Sequence, residues 1–191
     1  MSTVAIIPAR GGSVRIPRKN IKDFHGKPII AYSISSARES GLFDEIYVST
    51  EDAEIADVAR KYCAKVLDRP KDLCNDEYGP LDVARYHINT MPDVGKVCVI
   101  YATAPLMSVL DLNRGLFTLG RNETMYSFSA GNPPLHDAAQ FFWCERAALM
   151  SRLPEFAHWT EMVPIAPERD CDINTQEDWA RAEKMYAKLC S

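Results

Sequence analysis

The 191-residue sequence is short of the patterns that most directly reveal a function. Its six cysteines form no CxxC pair, which removes the common zinc and redox motifs. No apolar run approaches the ~18 residues of a membrane helix, and the first residues do not form a basic segment followed by an apolar signal core. We therefore expect a reduced, cytoplasmic protein that contacts no membrane, with thiols such as Cys98 buried in apolar runs.

The chain also has no excess of positive charge. Its formal net charge of -4 and its pI near 5.6 argue against a nucleic-acid partner. Its densest basic run nevertheless lies close to the start, in IIPARGGSVRIPRKN at residues 6–20. A local basic run on an acidic protein indicates a small anionic ligand, and a solvated loop is the alternative.

Short apolar segments alternate with amphipathic segments over the first two thirds of the chain. TVAIIPA, DEIYVST and KVCVIYATAP have the character of buried strands, while AEIADVARKYC has helical spacing. This alternation predicts a single α/β domain over residues 1–191, with a mostly parallel sheet and helices on both faces. Residues 131–160 are less regular. Ligands of such sheets bind at the carboxyl ends of strands, and the basic run follows the first strand.

The opening loop, defined here as residues 9–20, has the composition of a phosphate site. Gly11 and Gly12 would permit positive φ and a close approach of the backbone to a ligand. Arg10, Arg18 and Lys19 would add charge-assisted donors. The loop is neither a Walker A motif nor GxGxxG. It predicts a cradle for a polyphosphate, with a solvated basic loop as the alternative.

A second candidate site is the acidic segment DCDINT, at residues 170–175. If this segment is extended, Asp170 and Asp172 point to one face. Two carboxylates on one face suit Mg²⁺ that bridges phosphates. The spacing alone is a weak signal for a metal, and an acidic turn that caps a helix is the alternative.

Several stretches resemble one enzyme family. IIPARGGSVRIPRKNIKDFHGKPIIAYSI is similar to the signature of the cytidylyltransferases that activate nine-carbon 2-keto sugar acids, the CMP-sialic acid synthetase family. YATAPL, HDAAQFFW and DCDINTQEDWARAEKMY resemble the versions of its pseudaminic acid branch. The resemblance covers nearly the whole chain. It implies a three-layer nucleotidyltransferase fold and Mg²⁺-dependent transfer of CMP from CTP to the anomeric hydroxyl of a nonulosonic acid, with release of pyrophosphate.

The resemblance also implies roles for individual residues. Arg10 and Lys19 would neutralise the triphosphate, and Asp170 and Asp172 would hold Mg²⁺, which makes Arg10, Lys19 and Asp172 the catalytic candidates. Asp137, Gln140 and Phe141 would contact the sugar, whereas Phe142 and Trp143 fit the core at least as well. The residues expected to bind the nucleotide are Pro8, Ala9, Arg10, Gly11, Gly12, Ser13, Arg18, Lys19, Asn20, Gly79, Thr103 and Ala104.

The sequence departs from the family pattern at four places. Val14 stands where lysine is usual, Pro80 where threonine or serine is frequent, and Ala139 where the branch has glycine. Residues 132–135 replace a longer insertion that forms the dimerisation arm in the family. The missing arm predicts a monomer or an atypical homodimer.

These departures leave alternatives open. One is a degenerate homologue that binds a nucleotide with weak or no turnover. Another is an enzyme for eight-carbon sugar acids, although that group has no double glycine in its opening loop.

Overall fold

The computed structural model of the protein describes residues 1–121, 123–131 and 135–190. Within these ranges the strands are β1 (Ser2–Pro8), β2 (Asp23–Phe24), β3 (Lys27–Pro28), β4 (Glu45–Thr50), β5 (Lys65–Asp68), β6 (Val94–Ile100), β7 (Tyr126–Gly131), β8 (His136–Glu145) and β9 (Thr160–Pro164). The α-helices in the same ranges are α1 (Ile29–Ser40), α2 (Ala53–Lys61), α3 (Pro80–Ile88), α4 (Val109–Leu119), α5 (Arg146–Met150) and α6 (Gln176–Leu189).

Seven of the described strands form one mixed sheet in the order β5-β4-β1-β6-β8-β7-β9. β1 is parallel to β4 and β6, and β4 is parallel to β5. β8 is antiparallel to both of its neighbours, while β7 and β9 are parallel to each other. The prediction of a mostly parallel sheet is confirmed, and β8 is the strand that runs the other way. β2 and β3 form a separate small hairpin.

Helices cover both faces of the sheet, as the sequence predicts. On β1, Ala5 and Ile7 pack with α1, α2 and α4, whereas Val4 and Ile6 pack with α3 and α5. Successive side chains of a strand point to opposite faces, so a strand that is apolar at every position must be covered twice. The result is three layers with a hydrophobic core on each side of the sheet.

A third cluster joins the end of the chain to its beginning. Trp179 and Ala182 of α6 pack with Ile16 of the opening loop and with Phe24. Lys22 lies over the Trp179 ring, with its Nζ 4.3 Å from the ring centroid. Helix α6 therefore fixes the opening loop against the segment that precedes the helix.

Two helices begin at side chains that cap their first amides. The Ser108 hydroxyl accepts a hydrogen bond of 3.2 Å from the Asp111 amide and caps α4. Thr175 and Asp178 form a reciprocal capping box at α6. Such caps satisfy amides that have no partner within the helix and are typically worth about 1 kcal/mol each.

The topology brings the candidate site to one edge of the sheet. The carboxyl ends of β1, β4, β5 and β6 share this edge because these strands are parallel. Antiparallel β8 begins at the same edge, with His136 and Asp137. Of the helices in the described ranges, none combines the length and the apolarity that a membrane crossing requires.

We expect Gly115→Ala in α4 to lower the free energy of unfolding by about 1–2 kcal/mol, because overpacking outweighs the better helix propensity of alanine. A Cβ at Gly115 would lie 2.5 Å from Cδ1 of Trp143 and 2.8 Å from Cε2 of Phe141, both fully buried. Denaturant titration measures the change.

Gly120→Ala is the matched control, because the nearest atoms to its Cβ lie 3.7 Å away and its φ is -80°. Equal destabilisation of both variants would contradict the proposed contact with the aromatic pair.

Candidate functional site

A cleft of about 840 Å³ opens at the edge where these strands end. The opening loop and the end of β1 form one wall, and the segment between β5 and α3 forms another. The residues after β6, the start of β8 and the acidic segment complete it. The cleft is lined by Pro8, Arg10, Ser13, Val14, Arg15, Ile16, Lys19, Asn20, Arg69, Asn75, Asp76, Tyr78, Gly79, Pro80, Val83, Tyr101, Ala102, Thr103, Asp137, Ala139, Asp172 and Asn174.

The sequence-predicted residues divide into two groups. Those that line the cleft are Pro8, Arg10, Ser13, Lys19, Asn20, Gly79, Thr103, Asp137 and Asp172. Those that do not line it are Ala9, Gly11, Gly12, Arg18, Ala104, Gln140, Phe141 and Asp170. Ala9 and Ala104 belong to the buried core directly behind the cleft.

Arg10 spans from the opening loop to the opposite wall. Its guanidinium donates a hydrogen bond of 2.8 Å to the carbonyl of Cys74 and forms an ion pair with Asp76. The side-chain amide of Asn20, which is buried, donates a 2.9 Å hydrogen bond to the Arg10 carbonyl. Asn20 therefore holds the backbone of the loop, and Arg10 presents its charge inside the cleft.

Of the two glycines in the opening loop, Gly11 packs closely against the start of α2. Neither Gly11 nor Gly12 has positive φ, so that prediction is wrong. A Cβ at Gly11 would lie 2.5 Å from Oδ2 of Asp52, and the Gly11 amide donates a 2.8 Å hydrogen bond to Glu51. Gly11 is needed where the loop packs tightly against the start of α2, and the left-handed residue of this region is Arg18, with φ 56°.

Arg18 turns away from the cleft. Its guanidinium pairs with both carboxylate oxygens of Asp52 and, at 2.9 Å, with Glu54. The hydrogen bonds with Asp52 raise the pKa of Arg18 above its ordinary value. Because two carboxylates already balance this charge, Arg18 anchors the opening loop to α2 in this arrangement.

Lys19 connects the opening loop to the acidic segment. Its Nζ donates a hydrogen bond of 2.8 Å to the carbonyl of Ile173. Arg15 makes a parallel link, with a 3.0 Å hydrogen bond from its guanidinium to Oδ1 of Asn174. Burial lowers the pKa of Lys19, and the nearby carboxylate of Asp172 opposes this effect. The basic and acidic elements of the site are therefore in direct contact.

The two aspartates of the acidic segment have different surroundings. Asp172 lines the cleft and accepts a hydrogen bond from the side-chain amide of Asn174. Asp170 does not line the cleft, and its Oδ1 lies 3.1 Å from Nε2 of His136. Residues 170–174 are not part of a strand, although the backbone of Asp170 is extended, and of the two aspartates only Asp172 lines the cleft.

The donor set of the cleft is compatible with Mg²⁺. No group of three or more His, Cys, Asp or Glu side chains that could hold an ion occurs among the described residues. Mg²⁺ commonly uses only one or two protein carboxylates together with water and substrate phosphates. The hard oxygen of Asp172 faces the cleft, with Asp170 two residues away, so these aspartates fit a cation that arrives with a phosphate ligand.

The other end of the cleft carries a carboxylate and a phenol. Tyr101 donates a 3.0 Å hydrogen bond to Oδ2 of Asp137, and the amide of Ala139 donates one of 2.8 Å to Oδ1. Burial raises the pKa of Asp137 above its ordinary value, although these two hydrogen bonds oppose the shift. The pair presents fixed polar groups that suit hydroxyl groups of a ligand.

Gln140 and Phe141 lie behind this surface. Phe141 is fully buried in the core, and Gln140 is almost fully buried, with its amide donating a 2.7 Å hydrogen bond to the carbonyl of Arg169. A bulge in β8 breaks simple alternation here, and the Ser129 hydroxyl accepts hydrogen bonds from the amides of both residues. Neither side chain therefore contacts the cleft, contrary to the expectation that both contact a sugar.

Sequence reasoning missed several residues of the cleft, notably Arg69, Asp76, Tyr78, Tyr101 and Asn174. Arg69 is buried directly after β5, with its Nε donating a 3.0 Å hydrogen bond to the Leu73 carbonyl. Burial lowers the pKa of Arg69. The rule that places ligands at strand carboxyl ends applies to Arg69 and Tyr101 as well as to the opening loop.

The departures from the family pattern also have structural settings. Val14 lines the cleft and is 90% exposed. Pro80 lines the cleft as the first residue of α3, a position where proline is well tolerated. Ala139 has φ 51°, in the region that favours glycine. Of the short segment 132–135, residues 132–134 lie outside the described residues.

Comparison with known proteins gives one consistent match. The sequence profile of the cytidylyltransferases matches residues 4–189. The pseudaminic acid cytidylyltransferase of Campylobacter jejuni is 44% identical over 224 residues, which cover 97% of this chain and 97% of that protein. The alignment is longer than the 191 residues of this chain, so that relative contains residues without a counterpart here. N-acylneuraminate cytidylyltransferase B of Danio rerio is 28% identical, covering 97% of this chain and 51% of that protein.

Solved structures share the fold at low sequence identity. The CMP:2-keto-3-deoxy-manno-octonic acid synthetase, solved in complex with CTP, superposes with a TM-score of 0.79 at 15% identity, covering 99% of this chain and 100% of that one. A Mycobacterium tuberculosis protein solved in complex with manganese has a TM-score of 0.67 at 16% identity, covering 96% and 99%. The first supports the assignment of a nucleotidyltransferase fold, and the second shares that fold.

We expect Asp76→Ala to strengthen the binding of inorganic tripolyphosphate by about two- to fivefold, the range that one exposed ion pair is worth. Asp76 is 90% exposed at its side chain and pairs with Arg10, so it competes with an incoming anion for the same guanidinium. Calorimetry measures the affinity.

Asp72→Ala removes an exposed carboxylate from the same segment and serves as the control for general charge. An equal gain in both variants would show that net charge, and not the pair with Arg10, sets the affinity.

Proposed function

This chain belongs to the cytidylyltransferase family, and from that premise we propose that it transfers CMP from CTP to the anomeric hydroxyl of a nine-carbon 2-keto sugar acid, with release of pyrophosphate. The proposed acceptor is like pseudaminic acid, because a pseudaminic acid cytidylyltransferase is 44% identical over nearly the whole chain. We propose that residues 1–191 act as one catalytic domain. The observation that carries the proposal is the contact of basic loop and acidic segment in a single cleft.

The triphosphate would lie between the opening loop and the wall formed after β5. Arg10, Lys19 and Arg69 present cationic side chains to this part of the cleft, and Arg15 lies beside them. Their charges would offset the charge that develops when the bond between the α-phosphorus and the bridging oxygen breaks. Asn20 and Ser13 would hold the loop in register with the nucleotide.

The acceptor would lie near Asp137 and Tyr101. These side chains are fixed by hydrogen bonds to each other and to the backbone, so they can orient sugar hydroxyls without first being ordered. Gln140 and Phe141 would support this surface from the core. The sugar oxygen would then approach the α-phosphorus from the side opposite the leaving pyrophosphate.

Asp172, together with Asp170 two residues before it, would hold Mg²⁺ when the nucleotide binds. When bound, the cation would neutralise phosphate charge and lower the pKa of the attacking hydroxyl. The link from Asn174 to Asp172 keeps that carboxylate directed at the cleft before any ligand binds.

The alternative of a degenerate homologue has less support. Arg10, Lys19 and Asp172 are all present and line one cleft. None of the comparisons points to loss of activity, and the identity of 44% extends over 97% of the chain. The departure at Val14 removes one charge from an exposed position, where solvent screening keeps its effect small.

The test is release of pyrophosphate from CTP and pseudaminic acid in the presence of Mg²⁺. We expect Asp172→Ala to lower kcat/KM at least about a hundredfold, the scale for removal of one group that stabilises a transition state. Glu168→Ala, at an exposed carboxylate just before the acidic segment, is the control and is expected to behave as wild type. Absence of pyrophosphate release by wild type with any nonulosonic acid at high enzyme concentration would disprove the proposed activity.

Val14→Lys tests the missing charge of the cradle. We expect a decrease of about two- to fivefold in KM for CTP, because a cation would be restored beside the triphosphate at a well-solvated position. Steady-state kinetics at saturating acceptor measure it. Val14→Met has similar length without charge and is the control. If methionine gives the same decrease, packing and not charge is responsible.

A further inference from the structure

An ion pair with one fully buried and one half-buried partner lies next to the acidic segment. Arg169 donates a hydrogen bond of 3.0 Å from its guanidinium to Oδ2 of Asp111, and the Asp111 side chain has no exposed surface. Asp111 is in the first turn of α4, and Arg169 ends the short helix Pro167–Arg169 directly before Asp170. The pair therefore connects a core helix to the residue next to the acidic segment.

Arg169 is held at both its ends. Its side chain is held by Asp111, and its carbonyl accepts the 2.7 Å hydrogen bond from Gln140 of β8. Helix α4 and strand β8 thus fix the backbone at Arg169, and with it the position from which the chain continues to Asp170 and Asp172. On the far side of the segment, Lys19 fixes the carbonyl of Ile173.

The cap of α4 does not require a carboxylate at position 111. The Ser108 hydroxyl already accepts a hydrogen bond from the Asp111 amide. It also donates a 2.6 Å hydrogen bond to Oδ2 of Asp111. Oδ1 of Asp111 has no hydrogen-bond partner among the described residues, although Arg114 lies 3.5 Å from it. A buried ion pair is often no more stable than an apolar pair of the same volume, so its value can lie in fixing geometry.

We propose that Arg169 and Asp111 are positioning residues that set the place of Asp170 and Asp172 for a divalent cation held together with nucleotide phosphates. This inference rests on the proposed function. Groups that orient metal ligands from behind typically change metal affinity about 10- to 100-fold when they are removed. If the pair were purely structural, its removal would lower the stability of the fold. The affinity of the folded protein for the cation would then stay unchanged.

The test is binding of Mn²⁺ in the presence of CTP and without acceptor, followed by electron paramagnetic resonance, so that no turnover is needed. We expect Arg169→Met to weaken Mn²⁺ binding at least about tenfold. Affinity for CTP without metal should stay within about twofold of wild type, since Arg169 does not line the cleft. Arg169→Lys should recover part of the Mn²⁺ affinity.

Two further variants keep the outcome clear. Arg169→Met combined with Asp111→Leu removes both charges, so it leaves no unpaired buried carboxylate and should fold while still binding Mn²⁺ weakly. Lys96→Met removes the cation of a pair with Glu145, which links β6 to β8, and is the control expected to bind Mn²⁺ as wild type does.

Unchanged Mn²⁺ affinity in the folded double variant would overturn the positioning role while leaving the proposed function intact. Absence of Mn²⁺ binding by wild type in the presence of CTP would overturn both.

Discussion

The hydrogen bond from Lys19 to the carbonyl of Ile173 is the contact on which the site depends. It joins two segments that are 154 positions apart in sequence, one rich in cations and one in carboxylates. Together with the parallel hydrogen bond from Arg15 to Asn174, it holds the cations of the opening loop beside the acidic segment. Helix α6 supports this contact, because Trp179 packs with Ile16 of the loop. The site therefore forms where the acidic segment and α6 pack against the opening loop.

Each cation of the opening loop is held by a hydrogen bond or an ion pair. Arg18 is held by two carboxylates at the start of α2, Arg10 reaches Asp76 across the cleft, and Lys19 reaches a carbonyl. Pairs with one well-exposed partner are weak, whereas the pair of Arg18 with Asp52 is less accessible to solvent. An anion can thus displace Asp76 from Arg10 at small cost while Arg18 keeps the loop in position.

Much of the fold and part of the site follow from local sequence rules. The alternation of apolar and amphipathic segments predicts the layers, and the position of the opening loop after β1 predicts Arg10 and Lys19 in a cleft. Local rules could not predict where Arg18 points, because Asp52 comes from the end of another strand. The family resemblance assigned Gln140 and Phe141 to a sugar site, and the bulge in β8 that accompanies their inward position cannot be read from alternation. Arg69 and Tyr101 follow from the strand-end rule once the strands are placed.

Ala139, in the bulge of β8, has a strained backbone and also holds the carboxylate of Asp137. Its φ of 51° costs an alanine about 1–2 kcal/mol relative to the right-handed region, a cost that glycine avoids. Its amide holds Oδ1 of Asp137 towards the cleft, and the next residue, Gln140, turns inward to the carbonyl of Arg169. The strained residue therefore separates a side chain that faces the ligand from one that supports the acidic segment. In a straight strand Asp137 and Gln140, three positions apart, would already lie on opposite faces. What the bulge adds is that the amides of Gln140 and Phe141 both reach the Ser129 hydroxyl.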